Sequence, residues 1–206
     1  MRTKDTFYAL STPKGVSATA TIRISGPTSI KVVSLVTKKP TEYFKHKKSN
    51  LLNIYNKNNN LVDKAIVVSF HSPRSYTGED LVEVHTHGNP VVIKNLFKCL
   101  SEKGLRFAAP GEFTKTAYIN KKIDLVQAEA TLSLINSQSS GGVGLSLNNL
   151  GGALSSRFVF IRKNIIQALS VIEYELDISE ADNIDSTQRI VVGLILESLK
   201  NIKSLR

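Results

Sequence analysis

Between Ser72 and Gly88 the chain sets a carboxylate and two imidazoles at alternate positions. Glu83, His85 and His87 share one face of a strand with Leu81, while Val82, Val84 and Thr86 take the other, because successive strand side chains point to opposite sides. Such a strand buries its valines and either meets a polar ligand or carries a solvated face. The His85-x-His87 spacing can bring two imidazoles to one metal, but a catalytic zinc or iron needs a third ligand. The other two histidines, His46 and His71, join no ligand-like cluster in the sequence, so no metal site is expected. Cys99 is the single cysteine and cannot form an internal disulfide. It falls in a helical run, Val91 to Leu100, and reads as a packed thiol rather than a nucleophile. No Gly-x-x-x-x-Gly-Lys-Ser/Thr sequence occurs, so these residues contain no loop of the kind that cradles nucleotide phosphates. Gly141-Gly142-Val143-Gly144 has no following lysine and reads as a frayed helix start.

The elements that must position these groups alternate between two periods. Thr6 to Leu10 opens as a strand. Ala18, Ala20, Ile22 and Ile24 alternate with Thr19, Thr21, Arg23 and Ser25, which predicts a strand with Arg23 on its polar face. Gly26-Pro27 is expected to open a helix, with proline in the first turn. Leu51 to Tyr55 and Leu61 to Phe70 read as two strands joined by the asparagine-rich turn Asn56 to Asn60. Asn89 is a candidate N-cap with Pro90 behind it, and Ile93, Leu96, Phe97 and Leu100 form one helical stripe that ends by Gly104. Asp124 and Gln127 have capping-box spacing, and Leu125, Ala128, Leu132 and Ile135 line the helix they start. A longer stripe runs from Leu147 through Leu150, Leu154, Phe158, Ile161, Ile165, Leu169 and Ile172 to Leu176, interrupted at Gly151-Gly152. The polar stretch Ser179 to Ser186 is expected to break it, and Ile190 to Leu205 to form another helix. The result is an α+β domain over residues 1–120 followed by an incomplete all-α bundle over 121–206.

Composition narrows the function less sharply. At 206 residues the chain can build a core unaided, and 41% hydrophobic content is ordinary for a soluble protein. No apolar run approaches a membrane span and no signal-peptide core precedes the first strand, so a cytoplasmic protein without membrane association is expected. A formal charge of +10 is permissive for nucleic acid, and the densest basic run, Lys38 to Lys48, reads either as a nucleic-acid contact or as a solvated loop.

Tyr76-Thr77-Gly78-Glu79-Asp80 with His85-Thr86-His87-Gly88 resembles the signature of the MnmE (TrmE) family of tRNA-modifying GTPases. Further stretches match in the same order. They are Asp5-Thr6 with Ile22-Arg23-Ile24-Ser25-Gly26-Pro27, then Gly104-Leu105-Arg106 with Pro110-Gly111-Glu112-Phe113-Thr114. Tyr118-Ile119-Asn120, Lys122-Ile123-Asp124-Leu125 and Gln127-Ala128-Glu129-Ala130 complete the series. The resemblance is dense from Asp5 to about Ile135 and thins to a helical pattern beyond. It departs from the family at Lys14-Gly15-Val16-Ser17-Ala18, which has fewer glycines, and at Asn89, Ala109 and Thr116.

The resemblance implies a tetrahydrofolate-binding, aminomethyltransferase-like N-terminal domain, with Arg23, Glu83 and Lys122 as the folate-binding positions. His85 and His87 would line the same pocket or buttress Gly88. The ligand would be 5-formyl- or 5,10-methylene-tetrahydrofolate, and no residue of this chain is assigned a catalytic role. The implied partners are a second copy of the chain, an MnmG-type flavoprotein and tRNA, acting together on the wobble uridine. GTP, magnesium and potassium would belong to a G domain that these residues lack, so the chain is expected to be a fragment or a natural truncation. A stand-alone folate-dependent aminomethyl- or methyltransferase is the alternative. A metal-dependent hydrolase is the third reading, and it fails for want of ligands.

Overall fold

The computed structural model describes residues 5–177 and 184–204, which divide into two compact units, 1–123 and 124–206. The first unit is an α+β fold on a six-stranded mixed sheet. Its strands are β1 (Phe7–Leu10), β2 (Ser17–Ser25), β3 (Ser49–Tyr55), β4 (Leu61–Phe70), β5 (Leu81–Gly88) and β6 (Arg106–Phe107), in the order β3-β4-β5-β2-β1-β6. All neighbours are antiparallel except β1 and β6, which run parallel.

The alternation read from β2 and β5 decides what the sheet covers. Ile22, Ile24, Val82 and Val84 are buried on one face, together with Leu52, Ile54 and Val67 from β3 and β4. Two helices close that face, α1 (Ser29–Thr37) through Val32, Val33 and Val36, and α2 (Pro90–Ser101) through Leu96 and Leu100. Asn89 caps α2 as its sequence predicts, its side-chain oxygen accepting the Val91 N–H at 2.8 Å. Cys99 is buried in α2, and burial with the nearby Glu102 charge pushes its thiol up, so it packs as an apolar group.

α1 starts later than expected. Thr28 is its cap position and Pro27 precedes the helix instead of occupying the first turn. The reason lies in Thr6, whose Oγ1 accepts both the Thr28 N–H and the Thr28 hydroxyl. Gly26 makes that approach possible: at φ +129° a Cβ would sit 2.6 Å from the Asp5 carbonyl. On the opposite face of the sheet, α3 (Glu112–Ile119) packs on β1, where Phe7 and Phe113 meet edge to face at 4.9 Å.

The second unit is helical. α4 (Leu125–Asn136) begins at the expected capping box: Asp124 accepts the Gln127 N–H at 2.9 Å, and Gln127 Oε1 accepts the Asp124 N–H at 3.0 Å. α5 (Ser140–Leu150) includes the glycine-rich stretch as regular helix, capped by Ser139 Oγ accepting from the Gly142 N–H, so the expected fraying is absent. The long stripe is divided between α5 and α6 (Ala153–Asp177), with Gly152 between them at φ +88°. α7 (Ile184–Lys203) starts six residues before the expected Ile190. The start of the polar break, 179–183, and Leu205 lie outside the described residues. α6 buries Ile161, Asn164 and Ala168, whereas most of the apolar stripe faces outward, with Ile165 55% and Leu169 53% exposed. Among the described residues no helix is long and apolar enough to cross a membrane.

Candidate functional site

The side of the sheet away from α1 and α2 carries the polar residues of β2 and β5. Antiparallel register sets Arg23 opposite Glu83, Thr21 opposite His85 and Thr19 opposite His87. Arg23 Nε donates to Glu83 Oε1 at 2.7 Å, with the arginine 39% and the carboxylate 17% exposed. His85 continues the row, its Nδ1 3.0 Å from Thr21 Oγ1 and its Nε2 3.7 Å from Glu83 Oε2, too long for a hydrogen bond.

The hydrogen bonds of the Arg23–Glu83 pair leave useful groups over. Arg23 engages through Nε alone, so its two terminal nitrogens keep their donors. Glu83 spends one oxygen on Arg23 and keeps Oε2 as an acceptor. A side-on pair of this kind holds two charged groups in fixed positions on a partly exposed sheet face. It presents acceptors and donors side by side, the pattern that suits a flat heterocycle with adjacent N–H groups and a carboxylate-bearing tail.

The loop 72–80 bounds this face at the Ser25–Leu81 end. Thr77 is buried and its Oγ1 lies 2.7 Å from Ser25 Oγ, two residues along β2 from Arg23. Thr77 O accepts from Asn120 Nδ2 at 2.8 Å, which ties the loop to the segment after α3. Lys122 packs its stem against Gly78: a Cβ there would lie 3.1 Å from Lys122 Cγ and 3.1 Å from Asn120 Cβ. Arg23 and Glu83 therefore meet directly. Lys122 reaches the same loop but makes no ion pair with a described carboxylate.

At the other end His87 leaves the row. Its Nδ1 lies 2.7 Å from Asp63 Oδ1 and its N–H donates to Asp63 Oδ2 at 2.9 Å, while 70% of the side chain is exposed. Burial alone would raise the Asp63 carboxyl, but the hydrogen bonds from His87 and from the Lys64 N–H hold it below its ordinary value. Gly88 ends the strand against Ser17, where an added Cβ would overlap both Ser17 Oγ and the Ser17 carbonyl.

Sequence reasoning missed several supports of the site. Thr21, Thr77, Asp63 and Asn120 become visible only through cross-strand register and loop closure. The motif running from Arg106 to Glu112 has a structural part: Arg106 forks onto Glu112 with bonds of 2.6 and 2.9 Å, joining β6 to α3. That fork holds the Glu112 carboxyl down despite its partial burial. His46 and His71 do meet, with ring centroids 5.9 Å apart. Among the described residues no group of three or more histidine, cysteine or acidic side chains could hold a metal.

A family model described as the GTP-binding protein TrmE N-terminus matches residues 6–122. A tRNA modification GTPase MnmE of Fervidobacterium nodosum is 39% identical over 204 residues, covering 98% of this chain and 43% of that protein. The Thermotoga petrophila MnmE is 39% identical over 97% of this chain and 42% of its own length. The Francisella philomiragia MnmE is 34% identical over 98% and 46%. The chain thus spans less than half the length of these curated relatives.

Proposed function

Because the chain belongs to the TrmE N-terminus family, we propose that its first 120 residues are the tetrahydrofolate-binding and dimerisation unit of a tRNA modification GTPase, an aminomethyltransferase-like domain. Residues 121–206 then begin the helical domain. The observation that carries this reading is the Arg23–Glu83 pair, held at 2.7 Å on the sheet face away from α1 and α2.

The donor set suits a reduced folate. Glu83 Oε2 accepts from the pterin N–H edge, and the terminal nitrogens of Arg23 or the ammonium of Lys122 meet the carboxylates of the tail. Thr21 and His85 line the same face, and Thr77 fixes the loop against which Lys122 packs. When bound, 5-formyl- or 5,10-methylene-tetrahydrofolate supplies a one-carbon unit. These residues bind and orient it. The acceptor is the wobble uridine of tRNA, and the partner is an MnmG-type flavoprotein acting in the cytoplasm. GTP hydrolysis, with its magnesium and potassium, belongs to a domain with a phosphate-binding loop, a motif these 206 residues do not contain.

Titration calorimetry with 5-formyltetrahydrofolate tests the reading. Glu83→Ala is expected to weaken binding by about 1.5–3 kcal/mol, the range for hydrogen bonds to a charged group. Unchanged affinity in a folded variant would remove Glu83 from the site. Binding by the unaltered chain too weak to saturate would remove the folate reading itself.

A further inference from the structure

On the helix side of the sheet, away from Arg23 and Glu83, the C-terminal ends of α1 and α2 and the β3–β4 turn enclose a cleft of about 440 Å³. Its buried apolar lining comes from Val36 and Cys99, with exposed Leu35 beside them, and Lys38, Lys57 and Lys103 line it with their exposed side chains. We infer that this cleft and the lysine rows leading from it along α1 and α2 form an RNA-binding surface that grips the phosphate backbone.

The chemistry of the cleft is one-sided. Asn56 Oδ1 already accepts the N–H groups of Asn58 and Asn60, which leaves its amide NH₂ to donate. The Tyr55 hydroxyl accepts from Asn53 Nδ2 and keeps its proton to give. Glu102 is the one carboxylate on the rim, and Lys57 pairs with it at 3.2 Å. What remains are ammonium, amide and hydroxyl donors, a lining for an anionic ligand rich in acceptors.

The surroundings agree. Neither α1 nor α2 contains an aspartate or glutamate, whereas their exposed sides carry Lys31, Lys94 and Lys98. A surface built only for solubility mixes both signs. The last carbonyls of α1 and α2 turn partial negative charge toward the cleft, and the rim lysines offset it. Lys38 closes α1 at φ 54°, a left-handed conformation in which glycine is usual, with its Nζ 4.0 Å from the centre of the Tyr55 ring. The turn thus fixes an ammonium over an aromatic platform. Lysines along a helix reach phosphates as point charges and need no base-specific geometry.

The choice of RNA as the polyanion rests on the tRNA-modification reading. It does not rest on the folate site, so the two tests fail separately. The experiment is fluorescence anisotropy of the full chain with a labelled, unmodified tRNA transcript over a range of salt. The cleft variant Lys38→Gln/Lys57→Gln/Lys103→Gln is compared with an equal-charge variant outside the cleft, Lys14→Gln/Lys64→Gln/Lys115→Gln. At about 0.1 M salt the cleft variant is expected to bind at least tenfold more weakly, and its salt slope to fall by about 2–3, near one per lost phosphate contact. The other variant should lose less than threefold. Equal loss in both variants, or none in the cleft variant, overturns the proposal. So does cleft-dependent binding to phosphatidylglycerol vesicles with no binding to the transcript. Should the cleft variant fail to fold, lysine acetylation of the unaltered chain decides: the transcript is expected to protect Lys38, Lys57 and Lys103, and full labelling would overturn the surface.

Discussion

Asp63 holds His87 twice, through the ring and through the main chain, at the end of the β4–β5 ladder. The bonds supply what the ladder no longer does, since regular pairing stops at Ile66 and His85. A carboxyl held below its ordinary value by such bonds stabilises the fold above its unfolded pKa, about 4, and the contribution is lost as pH falls through the lower folded value. Asp63→Ala is therefore expected to cost about 0.5–1.5 kcal/mol near pH 7, the net worth of hydrogen bonds whose partner, His87, stays in reach of water. Urea unfolding as a function of pH should show the difference from the unaltered chain shrinking below about pH 4. A pH-independent difference would assign the loss to packing instead. Periodicity in the sequence gives the face on which Glu83 and His87 stand. It cannot give their partners, because Arg23 and Asp63 are chosen by strand register, 60 and 24 residues away.

Elements that announce themselves locally are the ones legible from sequence. The Asn89 cap and the Asp124–Gln127 box involve residues two or three apart, and both form as their spacing requires. β6 was illegible because two residues become a strand only by pairing with β1, and α3 because its anchors, Phe7 and Arg106, lie outside it. The glycine-rich start of α5 misleads in the other direction: low helix propensity is overcome by a serine cap and by packing of α5 on α4, where Ser146 and Ala130 are buried. Two substitutions separate these effects. Asp124→Ala removes a cap and should lower stability by about 1 kcal/mol. Gly88→Ala drives a methyl into the Ser17 backbone and should cost about 1–3 kcal/mol, as overpacking does. Thermal unfolding of the two variants checks the pair. A Gly88→Ala variant as stable as the unaltered chain would mean that the β2 and β5 ends part without cost.

At the scale of the whole molecule the two units differ in how well each buries its own apolar residues. The first closes a core around Tyr8, Ile22, Ile24, Val82 and Leu100, each no more than 0% exposed. The second leaves large side chains in water along both long helices, with Phe158 50%, Leu176 77%, Ile190 51% and Leu196 59% exposed. Contiguous apolar faces of that kind mark interaction surfaces and lower solubility when uncovered. Excising residues 1–123 should therefore give a folded protein that is more soluble than the full chain, since the sheet, α1, α2 and α3 all lie within it. If the dimer forms through this unit, as the proposed function has it, the excised piece should still scatter light as a dimer. It should also retain 5-formyltetrahydrofolate binding within a few fold, because Arg23, Glu83 and Lys122 are all kept. A folded monomer that binds folate would move the dimer contact to the helices, and a folded dimer that does not would separate dimerisation from the ligand.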